Sequence, residues 1–171
     1  MKSLHKVSHG AQIFLRIFAL VASAISAWLM LTAEEKAIVY GMAMSAKYSY
    51  SPAFKFAAFA NVVASAFALL SLCLTFIVIR KGNPSNYFFL FMHDLVIMSV
   101  VLGGCAAATA IGYVGKYGNS EAGWLPICDH FTSFCNRVTS SVILSYASTV
   151  SFLFLTVISA LNSRQFRLSN S

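Results

Sequence analysis

Four apolar runs, each long enough to cross a bilayer, account for most of the chain. They lie at about Ala11–Leu31, Ala53–Ile79, Tyr87–Tyr113 and Thr139–Leu161. A hydrocarbon core of about 30 Å takes about 20 apolar residues as a helix, so each run predicts a transmembrane helix. Between the first two runs the pattern changes period. Tyr40, Met42, Met44, Ala46, Tyr48 and Tyr50 alternate with Val39, Gly41, Ala43, Ser45, Lys47 and Ser49. A period of two predicts an extended strand or a small hairpin, with one aromatic and methionine face. A bare stripe of that kind is rare on a free surface, which favours packing on the second outer loop over contact with another molecule. Ser51-Pro52 predicts a capped helix start, and Gly82-Asn83-Pro84-Ser85 a tight turn capped by Ser85. The expected fold is an all-α membrane protein, a bundle of four transmembrane helices with a small extended element in its first outer loop. It is expected to form one domain over residues 1–171.

Composition agrees with the pattern. Hydrophobic residues are 58% of the 171 and charged ones 10%, against about 25% charged in soluble domains. The net charge of +7 does not predict nucleic-acid binding, because the basic residues sit at chain ends and between spans rather than in one patch. Lys2, Lys6, Arg80, Lys81, Arg164 and Arg167 lie on one side without an acidic neighbour, whereas both loops on the other side balance to zero. The positive-inside rule then predicts cytoplasmic termini. The first run has a basic start and an Ala22-Ser23-Ala24 triplet, as a signal peptide would. It continues past the triplet to Leu31 and contains Arg16, which predicts a retained helix.

Polar groups inside the spans are few. Arg16 in span one and Asp94 in span three each fall roughly 7–10 Å from the inner surface at 1.5 Å per residue. A charge inside a span costs on the order of 2.5–3.5 kcal/mol on insertion scales. Arg16 could snorkel to the headgroups, but Asp94 is too short to do so, and equal depth makes an interhelical ion pair the expectation. His93 is expected to be interfacial. Asn61 in span two is expected as packing glue at about 0.6 kcal/mol. Small residues form close-packing faces: Ala57, Asn61 and Ser65; Gly104, Ala108 and Gly112; Ser141, Ser145 and Thr149. Whether the Gly104 ridge meets a helix of the same chain or another is left open by the sequence. Cys73 and Cys105 are expected to act as small apolar residues.

The second outer loop reads KYGNSEAGWLPICDHFTSFCNRV. Cys128 and Cys135 face the oxidising side, which favours a disulfide. Ile127, Phe131, Phe134 and Val138 also fit one helical face leading into span four. A continuous helix would hold the cysteines about 10 Å apart, too far to bridge, so a bridge demands a helix starting nearer Thr132. Zinc through Cys128, His130 and Cys135 fits structural zinc sites poorly. Trp124 is expected as an interfacial anchor, with Tyr48, Tyr50 and Phe131 at the outer interface. The sequence carries no paired carboxylates, Ser-His-Asp set, Gly-rich phosphate loop or clustered metal ligands. Neither enzyme activity nor a cofactor is therefore expected.

Several stretches together resemble the Casparian strip membrane domain protein (CASP) family, in particular CASP-like proteins of the first subgroup. They are LRIFAL around Arg16, KYSYSPAFKF over Lys47–Phe56, HDLV around Asp94, and AIGYVGKYGNSEAGWLPICDHFTSFCNRV over Ala110–Val138. On this resemblance Arg16 and Asp94 correspond to the family's arginine and aspartate of spans one and three. Trp124, Cys128 and Cys135 correspond to its outer-loop Trp and Cys residues. The resemblance implies a MARVEL-like plant plasma-membrane protein with four helices, which associates with itself and its relatives. The founding members form platforms that recruit wall-modifying enzymes. The first outer loop, with KYSYSPAF, departs from those founders, so a general membrane scaffold is the role implied here. A small channel, transporter or accessory subunit is the alternative, on the polar groups Asn61, Asp94 and Arg16. Against it, all four spans are unbroken and lack half-helix signatures. The first outer loop has no cysteine, which fits neither a claudin nor a tetraspanin.

Overall fold

Long apolar helices joined by short turns produce an up-and-down bundle, and the chain folds that way. The structure is a computed structural model and describes residues 2–39, 41–81 and 84–169. Helix α1 spans Lys2–Leu31, α2 Pro52–Lys81, α3 Pro84–Tyr117 and α4 Thr132–Ser169. Their apolar segments are Gly10–Leu31, Pro52–Phe76, Phe88–Tyr117 and Thr132–Ser163. Proline stands first in both α2 and α3, where its missing N–H is not needed. Ser85 accordingly lies inside the first turn of α3 rather than at a cap. Gly82 and Asn83 of the expected tight turn lie outside the described residues.

The helices pack as a square. α1 and α3 each lie against α2 and α4, so α1 faces α3, and α2 faces α4, across the bundle. Alanine fills the contacts: Ala19, Ala60, Ala64, Ala68 and Ala108 are fully buried. Small side chains let backbones approach, and in lipid that close packing holds helices together. Large apolar residues such as Phe14, Phe59 and Ile143 point outward, as a bilayer solvent permits. Phe152, Leu155 and Val101 pack with Ala19, Ala64 and Ala68.

The apolar segments of α3 and α4 are 30 and 32 residues long, about 45 and 48 Å as helix. Both exceed the hydrocarbon core and project beyond it. α4 begins at Thr132, two turns before the expected start of span four, because Phe134 and Val138 continue its apolar face above the membrane.

The loop between α1 and α2 is an antiparallel hairpin, β1 Glu34–Val39 paired with β2 Met42–Lys47, in the register Glu34↔Lys47 to Val39↔Met42. Gly41, at φ 79°, supplies the left-handed conformation that the turn uses. The expected aromatic and methionine face is divided. Ala46 is buried, and Tyr48 packs on the same outer cluster as Val39, Phe54, Phe131 and Phe134. Met42, Met44 and Tyr50 stay exposed. On the solvent face Glu34 and Lys47 form an ion pair at 2.8 Å. The Lys47 hydrogen bond holds the Glu34 carboxyl below its usual value, and Glu34 raises Lys47 in turn.

Candidate functional site

Arg16 on α1 and Asp94 on α3 meet at the centre of the bundle. Arg16 Nη1 donates to Asp94 Oδ1 at 2.9 Å and Nη2 to Oδ2 at 2.8 Å. This is the fork geometry that makes arginine–carboxylate pairs strong. Both side chains are buried, at 1% and 0% exposure, so the pair removes two opposite charges from lipid together. Nη1 also donates to Ser71 Oγ of α2 at 2.7 Å. Three helices therefore converge on one guanidinium.

His93 differs from expectation. Rather than lying at the interface, its Nδ1 is 3.4 Å from Asp94 Oδ1 and its ring packs on Phe67 at 5.2 Å. Sitting next to a buried carboxylate, an imidazole finds a better partner there than at the headgroups. One turn from Arg16, Gln12 is 1% exposed. Among the described residues its amide atoms have no partner.

Farther toward the loops a second polar cluster links α2, α3 and α4. Asn61 Nδ2 donates to Ser145 Oγ at 2.8 Å, and Ser145 Oγ donates back to Asn61 Oδ1 at 3.0 Å. Cys105 Sγ donates to the same hydroxyl at 3.0 Å. One serine hydroxyl, with one proton and two lone pairs, thus satisfies all three groups. Cys105 acts here as a hydrogen-bonding thiol, not only as an apolar filler. Ser141 forms a reciprocal link with α1. Its Oγ donates to the Ser26 carbonyl, and Ser26 Oγ donates to the Ser141 carbonyl, each at 2.8 Å.

The expected small-residue ridge on α3 is split. A Cβ on Gly104 would lie 3.2 Å from Ala57 Cα and Ala60 Cβ, so that position meets α2 of the same chain. Ala108 is buried in the outer cluster. A Cβ on Gly112 would meet nothing within 4 Å.

The cap between α3 and α4 is built on Cys128–Cys135, a disulfide with Cα atoms 5.7 Å apart. Two thiols joined in this way cannot serve as zinc ligands. The helix starts at Thr132, so the two cysteines are not held on one continuous helix. The Ile127 N–H and the Cys128 N–H both donate to the Gly115 carbonyl, folding the loop onto the end of α3. Trp124 pairs with Asn119 through two backbone bonds and is 58% exposed. Gly118, at φ 72°, closes this turn, and a Cβ there would lie 2.6 Å from the Trp124 carbonyl oxygen. Phe131 is not at an outer interface. It is buried at 6% exposure, because its place on the Phe134–Val138 face turns it inward. Tyr48 likewise packs inward, while Tyr50 is exposed and bonds Ser45 at 3.1 Å.

The segment from Thr32 into the hairpin is tied to the start of α4 by two bonds with no local sequence signature. Glu35 Oε2 accepts the Phe134 N–H in the first turn of α4 at 2.7 Å, and Arg137 donates to the Thr32 carbonyl at 2.8 Å. A carboxylate at a helix N-terminus satisfies a free N–H and complements the dipole. Glu35→Ala is expected to lower stability by about 1–2 kcal/mol, and Glu35→Gln, which keeps an acceptor, by less. Denaturation midpoints of the purified chain in detergent would measure both.

Four membrane-length helices cross-linked by internal polar contacts, with a disulfide-bridged cap at one end, define a multi-pass membrane protein. Residues 5–151 match the Casparian strip membrane protein domain. The chain is 52% identical to CASP-like protein 1F1 of Populus trichocarpa over 161 residues, 94% of this chain and 89% of that one. It is 55% identical to CASP-like protein 1F2 of the same species over 160 residues, 93% of this chain and 88% of the relative. To CASP-like protein 1F1 of Vitis vinifera it is 50% identical over 165 residues, 96% and 80% of the two chains. The chain belongs to the CASP-like membrane protein family, which is not a known enzyme family. No solved structure matches it.

Proposed function

We propose that this protein is a non-enzymatic scaffold of the plasma membrane. Its termini are cytoplasmic, and it associates with copies of itself and with other CASP-like proteins. Its outer cap offers wall-side enzymes a docking surface. The observation that carries this reading is that the two charges buried within the bundle are paired with each other. Arg16 and Asp94 are paired and buried at the bundle centre, and Asn61 is bonded to Ser145. Groups engaged in this way stiffen a bundle and do not line a path for ions. Outside, large apolar side chains such as Phe59, Phe154 and Ile143 stand free on the lipid-facing surface, where a neighbouring bundle can pack. The basic residues Lys2, Lys6, Arg80 and Lys81 at the end opposite the cap support the cytoplasmic assignment.

Photobleaching of a fluorescently tagged copy in the plant plasma membrane tests the reading. Slow, partial recovery within bounded patches is the expected result. Fast, full recovery would overturn the scaffold, and ion currents in a reconstituted bilayer would establish a channel in its place.

A further inference from the structure

Between α3, α4 and the second outer loop lies a groove of about 1170 Å³. Pockets for drug-sized ligands run about 300–1,000 Å³, so this one has room for something larger. Its inner lining includes Phe54 and Val138, which are buried and stack the groove against the outer cluster. On the α3 side the wall opens at Gly112, where a Cβ would meet nothing within 4 Å. Gly112 and Thr139 both belong to the apolar, membrane-length segments of α3 and α4, each within about two turns of the segment's cap-side end, where an acyl chain and its headgroup meet. Trp124 also lines the groove, and it is a residue type that settles at headgroup level.

Charge narrows the occupant. Lys116 and Asp129, one of each sign, both line the groove and both are exposed. The Lys116 ammonium is placed 5.4 Å from the Tyr117 ring centre. An anionic lipid would satisfy the lysine and be repelled by the aspartate. A sterol hydroxyl would need neither charge. A phosphate with an attached ammonium answers both. We propose that the groove binds one zwitterionic phospholipid of the cap-side leaflet. Its phosphate lies toward Lys116, its ammonium toward Asp129, and an acyl chain runs past Gly112 over Phe54 and Val138. The site is independent of the scaffold reading and requires only that the chain is embedded in a bilayer.

The test reconstitutes the full chain, disulfide intact, in nanodiscs of equal phosphatidylcholine and phosphatidylglycerol with added sterol. Gentle detergent extraction and native mass spectrometry then read the retained lipid. One phosphatidylcholine per chain is expected, retained about two- to fivefold over phosphatidylglycerol, the discrimination one exposed ion pair provides. Gly112→Phe fills the groove and should abolish retention. Asp129→Asn, an exposed change that leaves the fold intact, should remove the headgroup preference while lipid is still held. The proposal fails if Gly112→Phe, shown folded by its elution profile and closed disulfide, keeps the wild-type lipid. It fails equally if phosphatidylglycerol or sterol is retained in place of phosphatidylcholine, if nothing is retained, or if Asp129→Asn keeps the wild-type preference.

Discussion

Asp94→Asn is expected to destabilise the protein by about 3–5 kcal/mol, the loss seen when one member of a buried ion pair is removed. Membrane-insertion scales give a similar magnitude, about 2.5–3.5 kcal/mol for an unpaired charge near a helix centre. The reason is geometric. Arg16 donates through both Nη atoms to the two carboxylate oxygens and is 1% exposed, so with asparagine opposite it the guanidinium keeps its charge without a counterion. Arg16→Gln should cause a comparable loss, leaving the Asp94 carboxylate without the guanidinium and with only the longer His93 contact. The double change Arg16→Met with Asp94→Leu discriminates the pair from its members. Replacing a whole buried pair by apolar residues of similar size is often neutral or better, so the double variant should recover most of the lost stability. Ser71 is not stranded by it, because its hydroxyl also donates to the Ala68 carbonyl at 3.0 Å. Unfolding midpoints in detergent, with the surface-delivered fraction in cells, would check all three. Wild-type midpoints for both single variants would mean that the pair does not hold the bundle together.

Opening the disulfide is expected to have the second largest effect. The bridge closes a loop with a sequence separation of 7, and the chain-entropy relation gives about 2.5 kcal/mol for a loop of that size. The structural consequence should be local. Ile127, Phe131, Phe134 and Val138 share a helical spacing, and the Phe131 N–H already donates to the Ile127 carbonyl at 3.0 Å. Once the cysteines are free, α4 can extend backward through this turn as far as Pro126, which tolerates only the first helical position. Cys135→Ser should therefore gain about a turn of helix and lose the fold-back of Ile127 and Cys128 onto Gly115. Hydrogen exchange would show faster amides at 118–128 and slower ones at 129–132. Unchanged protection across both stretches would show that the bridge does not set where α4 begins.

Much of this architecture is legible in the sequence because lipid makes charge conspicuous. Arg16 and Asp94 stand out among apolar residues, and counting turns places them at one depth. Ser71 does not stand out. Serines and threonines in these spans commonly bond their own helix, as Ser23 and Thr75 do, so nothing in sequence singles out the one that reaches a guanidinium. His93 is not legible in the same way, because helical spacing says where a ring starts and not where it turns; its contact with the adjacent Asp94 depends on rotamers. The hairpin's second strand shows in its alternation. The first is concealed by Glu34, Glu35 and Lys36, which read as loop charges, although Glu35 caps a helix 99 positions away. Phe131 shows two sequence signals in competition. Its loop suggested exposure, its helical spacing suggested burial, and packing followed the spacing.

The links across the bundle have a mechanical consequence. Four rods joined only along their sides can shear, as a square frame collapses into a rhombus. Here the Arg16–Asp94 link ties one pair of opposite corners and the Asn61–Ser145 link ties the other pair at a different depth. A frame tied on both diagonals cannot lean without breaking one of them. The four lipid-facing sides therefore keep fixed angles to one another. If copies pack side by side, as the proposed scaffold requires, a unit of fixed corner angle would pass its orientation from each copy to the next.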